Sequence, residues 1–202
     1  MTSVAARWTV GEAVDRIVLL GLARPDYTGS MTKSWRRDEL DRLLLDEFDS
    51  LAEALVGVLE EIGVGFQVGT DDDVTPGCEA DAYDSLLQEA ARCTGGLIAI
   101  ADVAVAQDDE RGLRLMFQCN DKPCSWPVEL RDEYFDLMAF AQYIDDLNVP
   151  PRRWDSIDVD ETEGCDPDNL EVRNFYFFGE PSALRQLASD FGITLFRLGD
   201  RA

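Results

Sequence analysis

The sequence predicts an α+β domain with helices near the N-terminus, an antiparallel meander in the middle and a C-terminal strand–helix–strand unit, packed with helices on one face. Three patterns support this fold class. Apolar residues recur every three or four positions early in the chain, alternate with polar residues in the middle, and return to helical spacing between two apolar runs at the end. Helices and strands thus occur in separate runs, unlike the alternation of a doubly wound parallel sheet.

Two helices are predicted in the first third of the chain. Thr9 and Glu12 have the spacing of a capping box and predict a helix over 10–22. Apolar residues spaced by three or four predict a longer helix over 37–62. Residues 23–36 contain proline, glycine and serine, which favour a loop between the two helices.

In the middle of the chain, the spacing of apolar residues predicts a strand over 64–68, a helix over 80–93 and then three consecutive strands. The first of these three, over 97–106, is an apolar run suited to a buried strand. The second, over 113–119, alternates apolar and polar residues with a period of two. The third, over 124–129, contains a proline and is therefore predicted at the edge of the sheet.

The last third predicts an amphipathic helix over 132–147 and then an acidic loop over 154–171. A strand over 172–178, a helix over 181–190 and a final strand over 193–198 follow. The helix over 181–190 has proline at its first position, where the missing N–H breaks no hydrogen bond of the helix.

The charge of the chain is strongly negative and unevenly distributed. There are 41 acidic residues against 18 basic ones, for a net charge of −23. The first 40 residues are nearly neutral, so we divide the chain into an N-terminal helix and loop, residues 1–36, and an acidic α+β domain, residues 37–202. An acidic surface repels phosphate backbones and anionic lipids and attracts cationic proteins. We therefore expect no binding to nucleic acid or membrane.

Several kinds of site are absent from the sequence. There is no histidine, which excludes Ser-His-Asp and Cys-His catalytic arrangements. No phosphate-binding or dinucleotide-binding glycine motif occurs, so no cofactor, metal or catalytic residue is assigned. The five cysteines lack zinc-site spacing and predict reduced thiols in a cytoplasmic protein. They are Cys78, Cys93, Cys119, Cys124 and Cys165.

The acidic segment 154–171 is the main candidate for a functional site. Eight of its 18 residues are acidic and none is basic, which favours docking of a cationic partner, with Trp154 as an aromatic anchor. The predicted partner-binding residues are Trp154, Asp155, Asp158, Asp160, Glu161, Glu163, Asp166 and Asp168. The alternative interpretation is a solvated loop that only aids solubility. A regular EF-hand is rejected because Glu163 and Asn169 occupy the positions of its glycine and last glutamate.

These observations favour a protein-binding module that neutralises a basic partner, such as an immunity protein or antitoxin that inhibits a bacterial toxin. One alternative is an enzyme that uses carboxylates and a divalent cation. Its candidate residues are Asp71, Asp72, Asp73, Asp102, Asp158 and Asp160. Another alternative is an acidic surface adapted to high salt without a specific partner. The sequence does not predict the oligomeric state.

Overall fold

The structure is a computed structural model that describes residues 8–23, 39, 41–44, 51–68, 79–108, 112–129, 137–158 and 174–196. Its α-helices are α1 (Val10–Leu19), α2 (Leu51–Glu61), α3 (Glu79–Cys93), α4 (Leu137–Tyr143) and α5 (Pro181–Phe191). A 3-10 helix at Ile144–Leu147 continues α4. Its strands are β1 (Gly65–Val68), β2 (Ile100–Asp108), β3 (Gly112–Cys119), β4 (Lys122–Pro127), β5 (Arg153–Asp158), β6 (Asn174–Gly179) and β7 (Leu195–Phe196).

The strands form two antiparallel sheets, which confirms the α+β class. The central sheet has the order β1-β6-β5-β7, and the meander has the order β2-β3-β4. The predicted meander is therefore present, and its third strand lies at an edge, where Pro127 is tolerated. The C-terminal strand–helix–strand unit is also present, but β7 pairs with β5 rather than with β6.

The central sheet separates two hydrophobic cores, because successive residues of a strand point to opposite faces. Phe175 and Phe177 of β6 pack with α1, α2 and α5 in the core of one face. Tyr176 and Phe178 pack with α3, α4 and the meander in the core of the other face. The molecule thus has a helical layer, a central sheet and a mixed layer of helices and meander.

Helix α1 begins with the predicted capping box. The backbone N–H of Glu12 donates to Oγ1 of Thr9 at 3.2 Å, and the backbone N–H of Thr9 donates to Oε2 of Glu12 at 2.9 Å. Its apolar side, which includes Ile17, packs into the core that α2 and α5 share. The loop predicted over 23–36, and with it the proposed domain boundary at residue 36, lies almost wholly outside the described residues and stays a prediction.

The single long helix predicted over 37–62 is wrong. Residues 41–43 are not helical, and residues 42–44 pair with the chain just before and at the start of α1. The N–H of Val10 donates to the carbonyl of Arg42, and the N–H of Leu44 donates to the carbonyl of Trp8, both at 2.9 Å. Long-range backbone hydrogen bonds therefore override the local helical pattern at 41–43, which separate the helical residue Glu39 from α2.

Close packing between the central sheet and the helical layer requires glycine at two positions. A Cβ atom added to Gly65 would overlap the ring of Phe175 and lie 2.7 Å from the carbonyl oxygen of Tyr176. A Cβ atom added to Gly179 would overlap the side chain of Leu22. Both glycines lie on paired strands of the sheet, where a backbone shift would disturb the neighbouring strand.

In the part of the chain that the structure describes, no helix is both long enough and apolar enough to cross a bilayer.

We expect Gly65→Ala to lower the free energy of unfolding by about 1–3 kcal/mol, the usual cost of overfilling a packed core. The reason is that the fully buried ring of Phe175 and the backbone of β6 have to move to admit one methyl group. Urea denaturation measures the change. Gln67→Ala, a half-buried position on the same strand, is the control and is expected to cost less. Equal stability of Gly65→Ala and the wild type would contradict this packing.

The contact between α1 and α5 depends on pH. Burial raises the pKa of the Asp190 carboxyl, but hydrogen bonds from Arg16 at 2.6 Å and from Gln186 at 2.8 Å outweigh it and hold that pKa below its ordinary value of 3.8. A carboxylate with a lowered pKa stabilises the folded state above its unfolded pKa, and this contribution is lost as the pH falls through the folded pKa.

We therefore expect Asp190→Asn to cost about 1 kcal/mol of unfolding free energy at pH 7, because the pair is partly exposed to water. The difference from wild type should shrink below about pH 4, as wild-type Asp190 becomes protonated. Urea denaturation across this pH range tests both statements. Asp15→Asn, an exposed change on the same helix, should alter stability by less than about 0.5 kcal/mol. A pH-independent cost at Asp190 would refute the electrostatic explanation.

Candidate functional site

Three neighbouring strands of the central sheet end together at one row of the hydrogen-bond register. Asn174, the first residue of β6, pairs with Val68 of β1 on one side and with Asp158 of β5 on the other. Because strands lie about 4.8 Å apart, the ends of β1 and β5 are about 10 Å from each other. Two chain segments, 69–78 and 159–173, follow directly after residues of this row. We call the row of Val68, Asn174 and Asp158 the acidic end.

Both segments that leave the acidic end are rich in carboxylates. Segment 69–78 contains Asp71, Asp72 and Asp73 and no basic residue. Segment 159–173 contains six acidic residues and a single basic one, Arg173. Together the two segments hold −8 of the net charge of −23. The residues from which they start, Val68 and Asp158, lie within about one Debye length of each other, roughly 10 Å at 0.1 M salt.

The first residues of the predicted acidic loop belong to a buried strand instead. Residues 154–158 lie in β5, so the prediction of a loop is wrong for this part of 154–171. Trp154 and Asp155 are each only 1% exposed. The Trp154 ring contacts Phe66 at a centroid distance of 5.6 Å and Phe178 at 5.1 Å. Neither Trp154 nor Asp155 is therefore on the surface available to a partner, and Trp154 acts as a core residue rather than an exposed anchor.

The remaining predicted partner-binding residues divide at the end of β5. Asp158 is the last residue of the strand and stands in the row that defines the acidic end. The others lie outside the described residues, and their role stays a prediction; they are Asp160, Glu161, Glu163, Asp166 and Asp168. The sequence alone does not show that segment 69–78 starts close to Asp158, because only the pairing of β6 with both β1 and β5 brings Val68 and Asp158 into one row.

A buried ion pair lies at the opposite end of β5. Nη2 of Arg153 donates to Oδ2 of Asp155 at 3.0 Å, and the Asp155 side chain is 2% exposed against 26% for Arg153. Both residues point toward the helical layer, because they alternate along β5 with Trp154, which points to the other core. Asp155 thus has a structural role within the sheet.

The described cysteines are free thiols, and none has the character of a nucleophile. Burial raises the pKa of Cys93 to about 12, and burial also raises the pKa values of Cys119 and Cys124. A thiol with a raised pKa is protonated near neutral pH and reacts slowly. Cys78 and Cys165 lie outside the described residues.

The carboxylates proposed for a metal-dependent enzyme are not brought together where they are described. Asp102 lies in the meander and accepts a hydrogen bond from Nε2 of Gln118 at 2.7 Å, whereas Asp158 lies in the central sheet. Among the residues with described positions, no group of three cysteine, aspartate or glutamate side chains could hold a metal ion. Asp71, Asp72, Asp73 and Asp160 lie outside this part of the chain.

Comparison of the chain with protein-family models, curated proteins and solved structures finds no match.

The buried ion pair on β5 generates a stability prediction. We expect Asp155→Asn to lower the free energy of unfolding by about 2–4 kcal/mol, because it leaves the charge of Arg153 partly buried without its counter-charge. The matched control is Glu89→Gln, which breaks the exposed pair of Glu89 with Arg92 and should cost less than about 1 kcal/mol. Thermal or urea unfolding gives both values. Similar losses of unfolding free energy in the two variants would show that burial does not determine how much the Arg153–Asp155 pair contributes to stability.

Proposed function

We propose that this protein is an acidic binding module that neutralises a basic protein partner, as an immunity protein or antitoxin does when it occupies the basic cleft of a bacterial toxin. The observation that carries the proposal is the acidic end of the central sheet. Val68, Asn174 and Asp158 stand in one row, and two segments with a combined charge of −8 start from it. A toxin that cleaves nucleic acid needs a positive surface to hold phosphate, and such a surface is complementary to this end.

The central sheet supports this proposal by holding the origins of the acidic segments in place. Tyr176 and Phe178 of β6 are buried in one core, and Phe175 and Phe177 are buried in the other. The row that carries the segments is therefore anchored on both faces of the sheet. Fixed charges of one sign steer an oppositely charged partner and raise its association rate constant to about 10⁸–10⁹ M⁻¹s⁻¹ at low salt.

The burial of Trp154 changes the expected energetics of binding. An exposed tryptophan would have supplied a desolvated anchor whose contribution resists salt. Because Trp154 is a core residue, charge supplies a larger share of the recognition in this proposal. We therefore expect affinity for the partner to fall steeply as salt is added, since exposed charges are screened.

The free thiols of Cys93, Cys119 and Cys124 accord with a reducing compartment, so the proposal includes action in the cytoplasm. The two alternatives predict different behaviour. A carboxylate enzyme would bind a divalent cation and turn over a substrate without any protein partner. A surface adapted to high salt would capture no specific basic protein at any salt concentration.

Capture of proteins from an extract of the source cell tests the proposal. We expect the immobilised chain to retain one basic protein at about 0.05 M salt and to release it at about 0.5 M salt. A variant that removes four charges next to the acidic end should weaken binding of that purified protein by about tenfold or more. Its substitutions are Asp160→Asn, Glu161→Gln, Glu163→Gln and Asp166→Asn.

A second variant controls for total charge. It removes the same four charges from exposed positions spread over the described surface and should bind within about threefold of the wild type. Its substitutions are Asp15→Asn, Glu61→Gln, Asp81→Asn and Asp121→Asn. Equal weakening in both variants would assign binding to overall charge rather than to the acidic end. The absence of any basic partner at low salt would overturn the proposed function.

A further inference from the structure

The meander presents one face to the mixed-layer core and the other to solvent. On the core side, Leu115, Phe117 and Trp126 are buried. On the solvent side, the register aligns two cross-strand rows, which we call the outer meander face. These rows are Ala104–Met116–Ser125 and Ala106–Arg114–Pro127.

The two rows of the outer meander face carry a single charged residue, and the flanking row carries Asp108 beside Gly112. Solvated sheet faces generally carry polar residues that alternate with the buried ones. Here Met116 is 47% exposed at the centre, and its row neighbours Ala104 and Ser125 are small and exposed. Arg114 is the one charged residue in the two rows of a protein whose net charge is −23.

We propose that the outer meander face binds the same face of a second copy of this chain, so that the protein forms a two-fold symmetric dimer. Two molecules that each carry a charge of −23 repel one another, and repulsion is smallest where the contacting surfaces are neutral. A symmetric dimer also requires a surface that is complementary to itself. The outer meander face meets that requirement through Met116 at its centre and two opposite charges, Arg114 within the face and Asp102 beside it.

The fixed charges are Arg114 and Asp102, which lie toward different corners of the face. The Arg114 side chain is held over β4, where Nε donates to Oγ of Ser125 at 2.7 Å and Nη2 donates to its carbonyl oxygen at 2.6 Å. The exposed Asp102 carboxylate is held on the β2 side by the amide of Gln118 at 2.7 Å. The two-fold axis of this dimer lies between the two faces, passes near Met116 and runs perpendicular to the line from Arg114 to Asp102. Such an axis brings Arg114 of each copy toward Asp102 of the other. Both side chains are oriented before association, which lowers the entropy lost on binding.

The size of the face sets the expected strength of the dimer. Each residue on one face of a sheet covers about 33 Å², since strands are about 4.8 Å apart and every second residue points outward. The six residues of the two rows and the adjoining row of Gln118 therefore present about 300 Å² per copy. A standard interface buries about 800 Å² per partner, so this face is well below standard size and we expect the dimers to be weak and reversible.

The salt dependence of this association distinguishes it from the proposed function. Binding of a basic partner weakens as salt is added, whereas association of two acidic copies strengthens because their mutual repulsion is screened. Sedimentation equilibrium of the full chain, from about 5 to about 500 µM, gives the dimer fraction at about 0.05 M and about 0.5 M salt. We expect more dimer at the higher salt concentration.

Two substitutions that each place a carboxylate at an exposed apolar position locate the interface. Met116→Glu puts a negative charge at the centre of the outer meander face and should raise the dissociation constant of the dimer by about tenfold or more. Leu19→Glu is the matched control, because Leu19 is 74% exposed on α1, in the helical layer on the other side of the central sheet. It should leave the dimer unchanged, and circular dichroism checks that both variants fold.

A monomer at every salt and protein concentration would overturn the dimer, as would equal behaviour of Met116→Glu and Leu19→Glu. The four-charge variant with substitutions at 160–166 should keep or strengthen self-association while it loses the basic partner. The dimer and the neutralising function can therefore fail independently of one another.

Discussion

Strand β6 links the two hydrophobic cores, because its four consecutive aromatic residues are buried alternately in one core and in the other. Phe175 and Phe177 are buried against the helical layer, and Tyr176 and Phe178 are buried against the mixed layer. The strand lies inside the central sheet, between β1 and β5, so its backbone is hydrogen-bonded on both sides. Aromatic side chains bury a large apolar area each. The helical layer and the mixed layer are therefore packed against opposite faces of this strand.

The pairing and packing of β6 produce two surfaces that differ in their charge. Pairing of β6 with β1 and β5 gathers the origins of two acidic segments at one end of the sheet. Packing of the meander against Tyr176 and Phe178 leaves an almost uncharged face exposed on the far side of the mixed layer. We propose a cationic protein as the partner of the first surface and an identical copy as the partner of the second. The two surfaces lie on different sheets.

Local periodicity predicted the elements whose burial follows a simple pattern. Helices α1, α3 and α5, the hairpins of the meander and strand β6 lie close to their predicted ranges. Two failures have physical causes. Residues 41–44 leave the helical pattern because their backbone pairs with the start of α1. Strand β5 differs from the predicted acidic loop because Trp154, Asp155, Ser156 and Ile157 are all buried, so no alternation of polarity marks the strand.

Composition established the acidic charge and the lack of histidine chemistry, and the short-range spacing of apolar residues predicted the α+β class. Folding decided which acidic segments start from the same row, because Val68 and Asn174 are far apart in the chain and meet only through strand pairing. Folding also decided that Trp154 is hidden and Met116 is exposed. The periodicity of an element shows which of its sides is apolar, but only the elements packed against it determine whether that side is covered.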